Sequence, residues 1–278
     1  MRLGLNYAPP HRTPEEWGDI LAEHGFRSAC FPVSYREPDA VIDAYVQAAK
    51  DRDILIAEVG VWDSPWQEDK ERAAAAREKC FGQLRLAEYV GARCCVNVSG
   101  APHGFWCGCC RENFSEDLYR RNAAFVQELC DTVKPVRTRF TLEPMQWMVP
   151  DSPEQYARFL ADVDREGFAV HMDYLNWIKD PYTYTHQDEL IARAFDTLGP
   201  QIRSCHLKDC LLEPGLTVAI HEVPAGQGEA DLFAYLSAID RLDADMPVLL
   251  EHLPDLETYL GAAAHVRALW KEKTGESL

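Results

Sequence analysis

Apolar and polar positions along the chain fall into two alternating rhythms. Short runs rich in branched and aromatic residues read as strands: "RLGLNY" (2–7), "RSACFPV" (27–33), "ILIAEVGV" (54–61) and "ARCCVNVS" (92–99). Four more follow: "RFTLEPM" (139–145), "FAVHMDY" (168–174), "IRSCHLKD" (202–209) and "PVLLEHL" (247–253). Between them lie stretches with helical spacing, among them "PEEWGDILAEHG", "DAVIDAYVQAAKDRD", "ERAAAAREKCFGQLRLAEYVG" and "SPEQYARFLADVDREG". Several open on a capping residue followed by acidic ones and close on glycine, as helix ends prefer. Strictly alternating strand and helix implies a parallel sheet. Eight such units in one domain spanning 1–278 predict a single (β/α)8 barrel of the TIM type, with an eight-stranded parallel sheet. The competing open, doubly wound sheet would be marked by a Gly-rich turn after the first strand, and "NYAPPHRTP" contains none.

Composition narrows the picture. With 47% hydrophobic and 26% charged residues, the 278-residue chain can bury a sizeable core. No run approaches the roughly 18 consecutive apolar residues of a membrane helix. "MRLGLNY" reads as the first strand rather than a signal peptide, because it has one basic residue and no apolar region before a cleavage site. A formal charge of −17 repels polyanions, so neither nucleic acid nor an anionic membrane is an expected partner. Ten cysteines scattered through strands and helices of a chain this long point to reduced thiols and a cytoplasmic setting rather than disulfides.

In a barrel of this kind the active site lies at the carboxyl ends of the strands. The fifth strand ends in Glu143, the sixth in Asp173, the seventh in His206 and the eighth in Glu251. Each is embedded in apolar residues, where an isolated ionised group is costly. A single strand-end Glu is commonly a salt-bridge partner, and a single His a satisfied core residue. Four in succession at equivalent positions are hard to assign to packing. Crowded carboxylates repel one another and raise their pKa values, and one divalent cation resolves the conflict. An oxygen-rich set with one imidazole suits Mn²⁺ first, with Mg²⁺, Co²⁺ or Zn²⁺ also able to fit.

These residues, with "TLEP", "HMD", "CHLKD", "PAGQGEAD" and the final "LLE", resemble the xylose isomerase-like barrel superfamily of sugar isomerases and epimerases, over nearly the whole chain. The resemblance implies that Glu143, Asp173, His206 and Glu251 hold the metal and that Glu143 and Glu251 are the catalytic acid–base pair. The implied reaction is isomerisation or epimerisation of a small keto-sugar through a metal-stabilised enediolate, since two carboxylates can remove and return a proton next to a carbonyl. A lyase or dehydratase acting on a keto-inositol or keto-glycoside would use the same site. An endonuclease IV-like nuclease would need many more His ligands and a basic surface, and a non-catalytic sugar-binding protein would not need the acid–base pair. The chain departs from ketose 3-epimerases at Val149, Asn176 and Leu212, where those enzymes carry Glu, His and Arg. Dimers or tetramers are in keeping with the resemblance.

Five of the seven tryptophans follow the ends of strands three to six, and aromatic faces stack on sugars. Trp62, Trp147 and Trp177 are the expected substrate contacts, with His103, Asn176 and Lys208. Lys208 could serve a substrate hydroxyl or phosphate, or pair with Asp209. His171 should point the same way as Asp173, one layer deeper, as a partner of the ligands or a hydrogen-bonded core residue. The segment 211–230 covers the usual barrel phosphate region and has no Lys or Arg, which favours an unphosphorylated sugar or keto-polyol. "HGFWCGCC" (103–110) lacks the paired spacing of zinc knuckles, and the role of Cys107, Cys109 and Cys110 is left open.

Overall fold

A computed structural model describes residues 1–278. Eight strands close into a parallel barrel: β1 (Arg2–Leu5), β2 (Ser28–Cys30), β3 (Leu55–Gly60), β4 (Cys94–Asn97), β5 (Phe140–Leu142), β6 (Phe168–Met172), β7 (Ile202–Leu207) and, closing against β1, β10 (Pro247–Leu250). The register pairs Leu249 with His206 and Leu5 with Leu250. The expected (β/α)8 barrel is therefore the observed fold.

Most of the helices start at a capping side chain; those over Asp39–Asp51 and Gln187–Leu198 do not. Thr13 accepts the Glu16 N–H ahead of α1 (Pro14–Glu23), with Pro14 at the first helical position. Ser152 does the same for α5 (Pro153–Val163), again followed by proline, and Asp69 and Asp255 cap α3 (Lys70–Val90) and α9 (Leu256–Thr274). A side-chain oxygen at this position satisfies a backbone donor that has no partner within the helix. The remaining helices are α2 (Asp39–Asp51), α4 (Glu116–Val133), α6 (Pro181–Thr185), α7 (Gln187–Leu198) and α8 (Leu232–Asp240). Asp231 caps α8 through the Ala234 N–H, as its position predicts. Their apolar faces pack on the barrel in one continuous core that includes Trp17, Phe26, Phe159, Tyr235 and Val266. No helix is long and apolar enough to cross a membrane, and all ten cysteines are free.

Two features differ from the expectation. Strand pairing stops earlier than the apolar runs suggest: β5, β6 and β10 end one residue before Glu143, Asp173 and Glu251. The carboxylates thus stand just past the strand ends, where the backbone turns out of the sheet. Second, the region after β7 is a built element rather than a loop. An antiparallel hairpin, β8 (Asp209–Glu213) and β9 (Ala219–Val223), rises over the carboxyl face of the barrel.

Candidate active site

Glu143, Asp173, His206 and Glu251 converge. One ligand atom from each lies within 4.8 Å of the others, and all four residues are buried. His206 Nδ1 faces this cluster, 2.8 Å from Glu251 Oε2 and 3.5 Å from Glu143 Oε1. Asn176 donates to Glu143 Oε1 at 3.0 Å. Asp173 accepts the Leu175 N–H at 3.2 Å, which holds its carboxylate at the head of a short 3₁₀ turn over Tyr174–Trp177.

The electrostatics are those of buried, crowded charges that a cation could offset. Burial raises the Asp173 pKa well above the carboxylate range, and nearby Glu251 and Glu143 push the same way against Lys208. Burial works against the charge on Glu251 too, but His206 and Lys208 outweigh it and draw its pKa down. His206 is opposed by burial yet raised by Glu251, Glu58 and Glu143. Lys208 Nζ lies 2.7 Å from Glu251 Oε1, 2.8 Å from Asp173 Oδ2 and 2.9 Å from Glu222 Oε1. Its approach to Asp173 is a charge contact without hydrogen-bond geometry, as is that of His206 Nδ1 to Glu251. Asp173 Oδ2 and His206 Nδ1 are therefore buried atoms with no hydrogen-bond partner. Buried polar atoms rarely stay unpaired, and oxygen donors with one imidazole nitrogen are the donor set of a hard or borderline divalent ion. The residues present fit such a group.

Above the cluster opens a cavity of about 550 Å³. Trp62, Trp106 and Trp147 line it, together with Asn176, Lys208 and Glu222. Trp147 is anchored by its indole N–H on the Cys107 carbonyl at 2.9 Å. The hairpin supplies Ile220, His221 and Glu222 to the opposite wall, and Glu222 accepts a 2.7 Å hydrogen bond from His252.

Of the side chains anticipated as substrate contacts, Trp62, Trp147, Asn176 and Lys208 line this cavity, whereas Trp177 and His103 do not. Trp177 is buried beneath it, donating to the Pro150 carbonyl at 3.2 Å, and packs the loop onto the barrel. His103 turns outward, 2.9 Å from Glu68 and 3.8 Å from Glu112. Lys208 does not pair with Asp209, which instead accepts the backbone N–H groups of Cys210, Gly226, Gly228 and Ala230. His171 does lie one layer below Asp173, but neither of its ring nitrogens has a hydrogen-bond partner, and burial beside His206 lowers its pKa to about 3. Cys107, Cys109, Cys110 and His103 do not form a metal-ligating group.

Glu58 escaped the sequence reading. It is fully buried on β3, with Oε1 3.0 Å from His206 Nε2. A carboxylate inside "LIAEVG" was the available signal.

A family profile described as xylose isomerase-like TIM barrel matches residues 19–269. The chain belongs to that family. Solved structures share its fold at low identity. One is 3-keto-D-glucoside 4-epimerase from E. coli: TM-score 0.70, 16% identity, covering 96% of this chain and 99% of that one. Another is a xylose isomerase-like barrel protein from Mycobacterium smegmatis in complex with magnesium: TM-score 0.69, 17% identity, 99% and 96% covered. A third is the probable 3-DHS dehydratase of petrobactin synthesis from Bacillus anthracis: TM-score 0.71, 14% identity, 97% and 98% covered. Among curated proteins, no sequence matches the chain.

Proposed function

We propose that the protein is a divalent-metal-dependent isomerase or epimerase of a small, unphosphorylated keto-sugar or keto-polyol. The observation that carries this reading is the convergence of Glu143, Asp173, His206 and Glu251, two of which, Glu143 and Glu251, line a cavity walled by tryptophans. Glu143, Asp173, His206 and Glu251 would hold the ion, with Mn²⁺ the best match to the donor set and Mg²⁺, Co²⁺ or Zn²⁺ also compatible. When bound, the ion supplies positive charge to substrate oxygens as a proton leaves the neighbouring carbon.

The remaining work falls to side chains. Glu143 and Glu251 stand just past β5 and β10, which β6 and β7 separate, so they approach a substrate on the cavity floor from different sides. One can take a proton from the carbon next to the carbonyl while the other returns one. Asn176 holds Glu143 in position through its 3.0 Å hydrogen bond, and Lys208 does the same for Glu251 at 2.7 Å. Trp62, Trp106 and Trp147 offer apolar faces to the C–H surface of a sugar and exclude water. The absence of a phosphate from the substrate is supported by the loop after the hairpin. Its amides at Gly226, Gly228 and Ala230, which could cradle an anion, are already bonded to Asp209, and Lys208 is engaged by three carboxylates. Free thiols throughout the core fit a reducing compartment such as the cytoplasm.

The test is solvent deuterium incorporation across a panel of ketoses, keto-inositols and keto-glycosides with the Mn²⁺-loaded protein. Incorporation is expected for one class and should fall by roughly 10²-fold or more in Glu143→Gln and in Glu251→Gln, with the circular dichroism spectrum unchanged. Full exchange in both variants would refute the assignment. A lyase reading has one observation in its favour: the Lys208 ammonium beside Glu251 sets a positive charge next to the base, where a departing hydroxyl or glycosidic oxygen would gather negative charge. An unsaturated or shortened product from the same panel identifies that reaction.

A further inference from the structure

One layer below the four convergent residues, Glu58 on β3, His171 on β6 and Ser204 on β7 meet on the Nε2 side of His206, all fully buried. Barrel interiors are ordinarily filled by branched apolar side chains. An ionised carboxylate there is costly unless it is hydrogen-bonded, so Glu58 calls for a reason. Its Oε1 is 3.0 Å from His206 Nε2, and its Oε2 is 3.3 Å from the Ser204 hydroxyl and 3.6 Å from His171 Nδ1. The nearest reach of Glu58 is thus to the imidazole whose other nitrogen, Nδ1, is aimed without a hydrogen-bond partner into the Glu143–Asp173–Glu251 cluster.

A neutral imidazole has one N–H and one lone pair, and the partner of one nitrogen decides the role of the other. Two groups compete for Nε2. The Asn6 amide nitrogen, at 3.2 Å, can only donate to it and so favours a bare Nε2. The Glu58 carboxylate, closer and charged, can only accept and favours Nε2–H. We infer that Glu58 is a positioning residue that holds the His206 proton on Nε2 and thereby presents the Nδ1 lone pair to the metal. This rests on the reading above that the cluster holds a divalent ion. Glu58, His171 and His206 also lie close enough to ligate an ion of their own. A neutral His206 cannot offer lone pairs to both sides, so the two arrangements exclude each other.

The experiment is calorimetric titration of the metal-free full-length protein with Mn²⁺, comparing wild type, Glu58→Gln and Glu58→Asp. Glutamine keeps the volume of Glu58 but loses the charge, so even with its carbonyl oxygen toward Nε2–H it is the weaker, neutral acceptor. Aspartate keeps the carboxylate and sacrifices packing. The expected result is one ion per wild-type chain, an affinity loss of roughly 10- to 100-fold in Glu58→Gln, and a smaller loss in Glu58→Asp. A role in packing alone reverses that order and overturns the inference, as does wild-type affinity in Glu58→Gln. Two ions per wild-type chain, with one lost in Glu58→Gln, would make Glu58 a ligand and overturn it too. A wild type that binds no ion overturns the metal reading, and the inference falls with it. Nitrogen-15 NMR of the Mg²⁺-loaded wild type needs no variant. It should find an exchange-protected proton on His206 Nε2, and a proton on Nδ1 refutes the proposal even if the variants fail to fold.

Discussion

Trp62 has a backbone φ of 53°, a left-handed conformation that a bulky residue keeps only when its surroundings hold it there. Those surroundings are identifiable. The Val61 N–H is tied to the Val96 carbonyl at 2.8 Å, and the Asp63 N–H to Asn97 Oδ1 at 3.1 Å. The indole then folds back over Gly60, in the space a β-carbon would need, and lies with its ring tilted 31° to that of His206. His252, directly after Glu251, has a φ of 56°, so left-handed residues stand just past the ends of β3 and β10. Gly60 is the removable support. Gly60→Ala places its methyl against Trp62 Nε1, and the indole must leave its seat over the cavity floor. The expected outcome is a destabilisation of about 1–3 kcal/mol by denaturant titration, with an altered tryptophan emission spectrum. Unchanged stability and emission would mean that the indole does not depend on the missing side chain.

Among the elements, the hairpin is the one whose stability can be tested separately from the barrel. It reaches the site through Glu222, which accepts from His252 at 2.7 Å and forms an ion pair with Lys208 at 2.9 Å. Burial alone would raise the Glu222 pKa, but these two partners outweigh it and bring it down to about 2 from an ordinary 4.5. A depressed folded-state pKa contributes stability that is complete above about 4.5 and is lost as the pH falls through about 2. The thermal midpoint of wild type should therefore exceed that of Glu222→Gln by a margin that is widest between about pH 6.5 and 5, where His252 is also charged, and that shrinks as the pH falls towards 2. It will be modest, because the Glu222 side chain is 44% exposed and solvent screens the pair. A margin that is undiminished at pH 3 would locate its origin elsewhere. This hairpin was illegible in the sequence for a physical reason. β7 runs into β8 with only Lys208 between them, and the loop over 214–218 lacks the two-residue turn that marks a hairpin. The barrel strands were legible because burial on both faces makes each a nearly continuous apolar run. Glu143, Asp173 and Glu251 stood out because each carboxylate closes such a run. Glu58 presents the same conflict in mid-strand, but its partner His206 is 148 residues away, a distance no local pattern spans. Trp177 and His103 mark the opposite limit, since closeness to a strand end does not say which way a loop side chain turns.

For the molecule as a whole, the interior carries five carboxylates, Glu58, Glu143, Asp173, Asp209 and Glu251, with Lys208 as the one buried ammonium. Without an ion, part of that charge must be neutralised by protons, consistent with the raised pKa of Asp173 and of His206. An ion that binds only the folded chain adds stability as RT ln(1 + [L]/Kd), about 2.7 kcal/mol at a hundredfold excess over Kd. In a chain of this size that corresponds to a rise in thermal midpoint on the order of 5 °C. Mn²⁺ added to the metal-free protein should give this rise, and EDTA should reverse it. The paired substitution Glu143→Gln with Asp173→Asn separates binding from folding. It should abolish the Mn²⁺ response and, by removing like charges from one another, melt no lower than the metal-free wild type. An equal Mn²⁺ response in the double variant would place the ion outside the barrel mouth. No response in wild type at millimolar Mn²⁺ would overturn the metal reading.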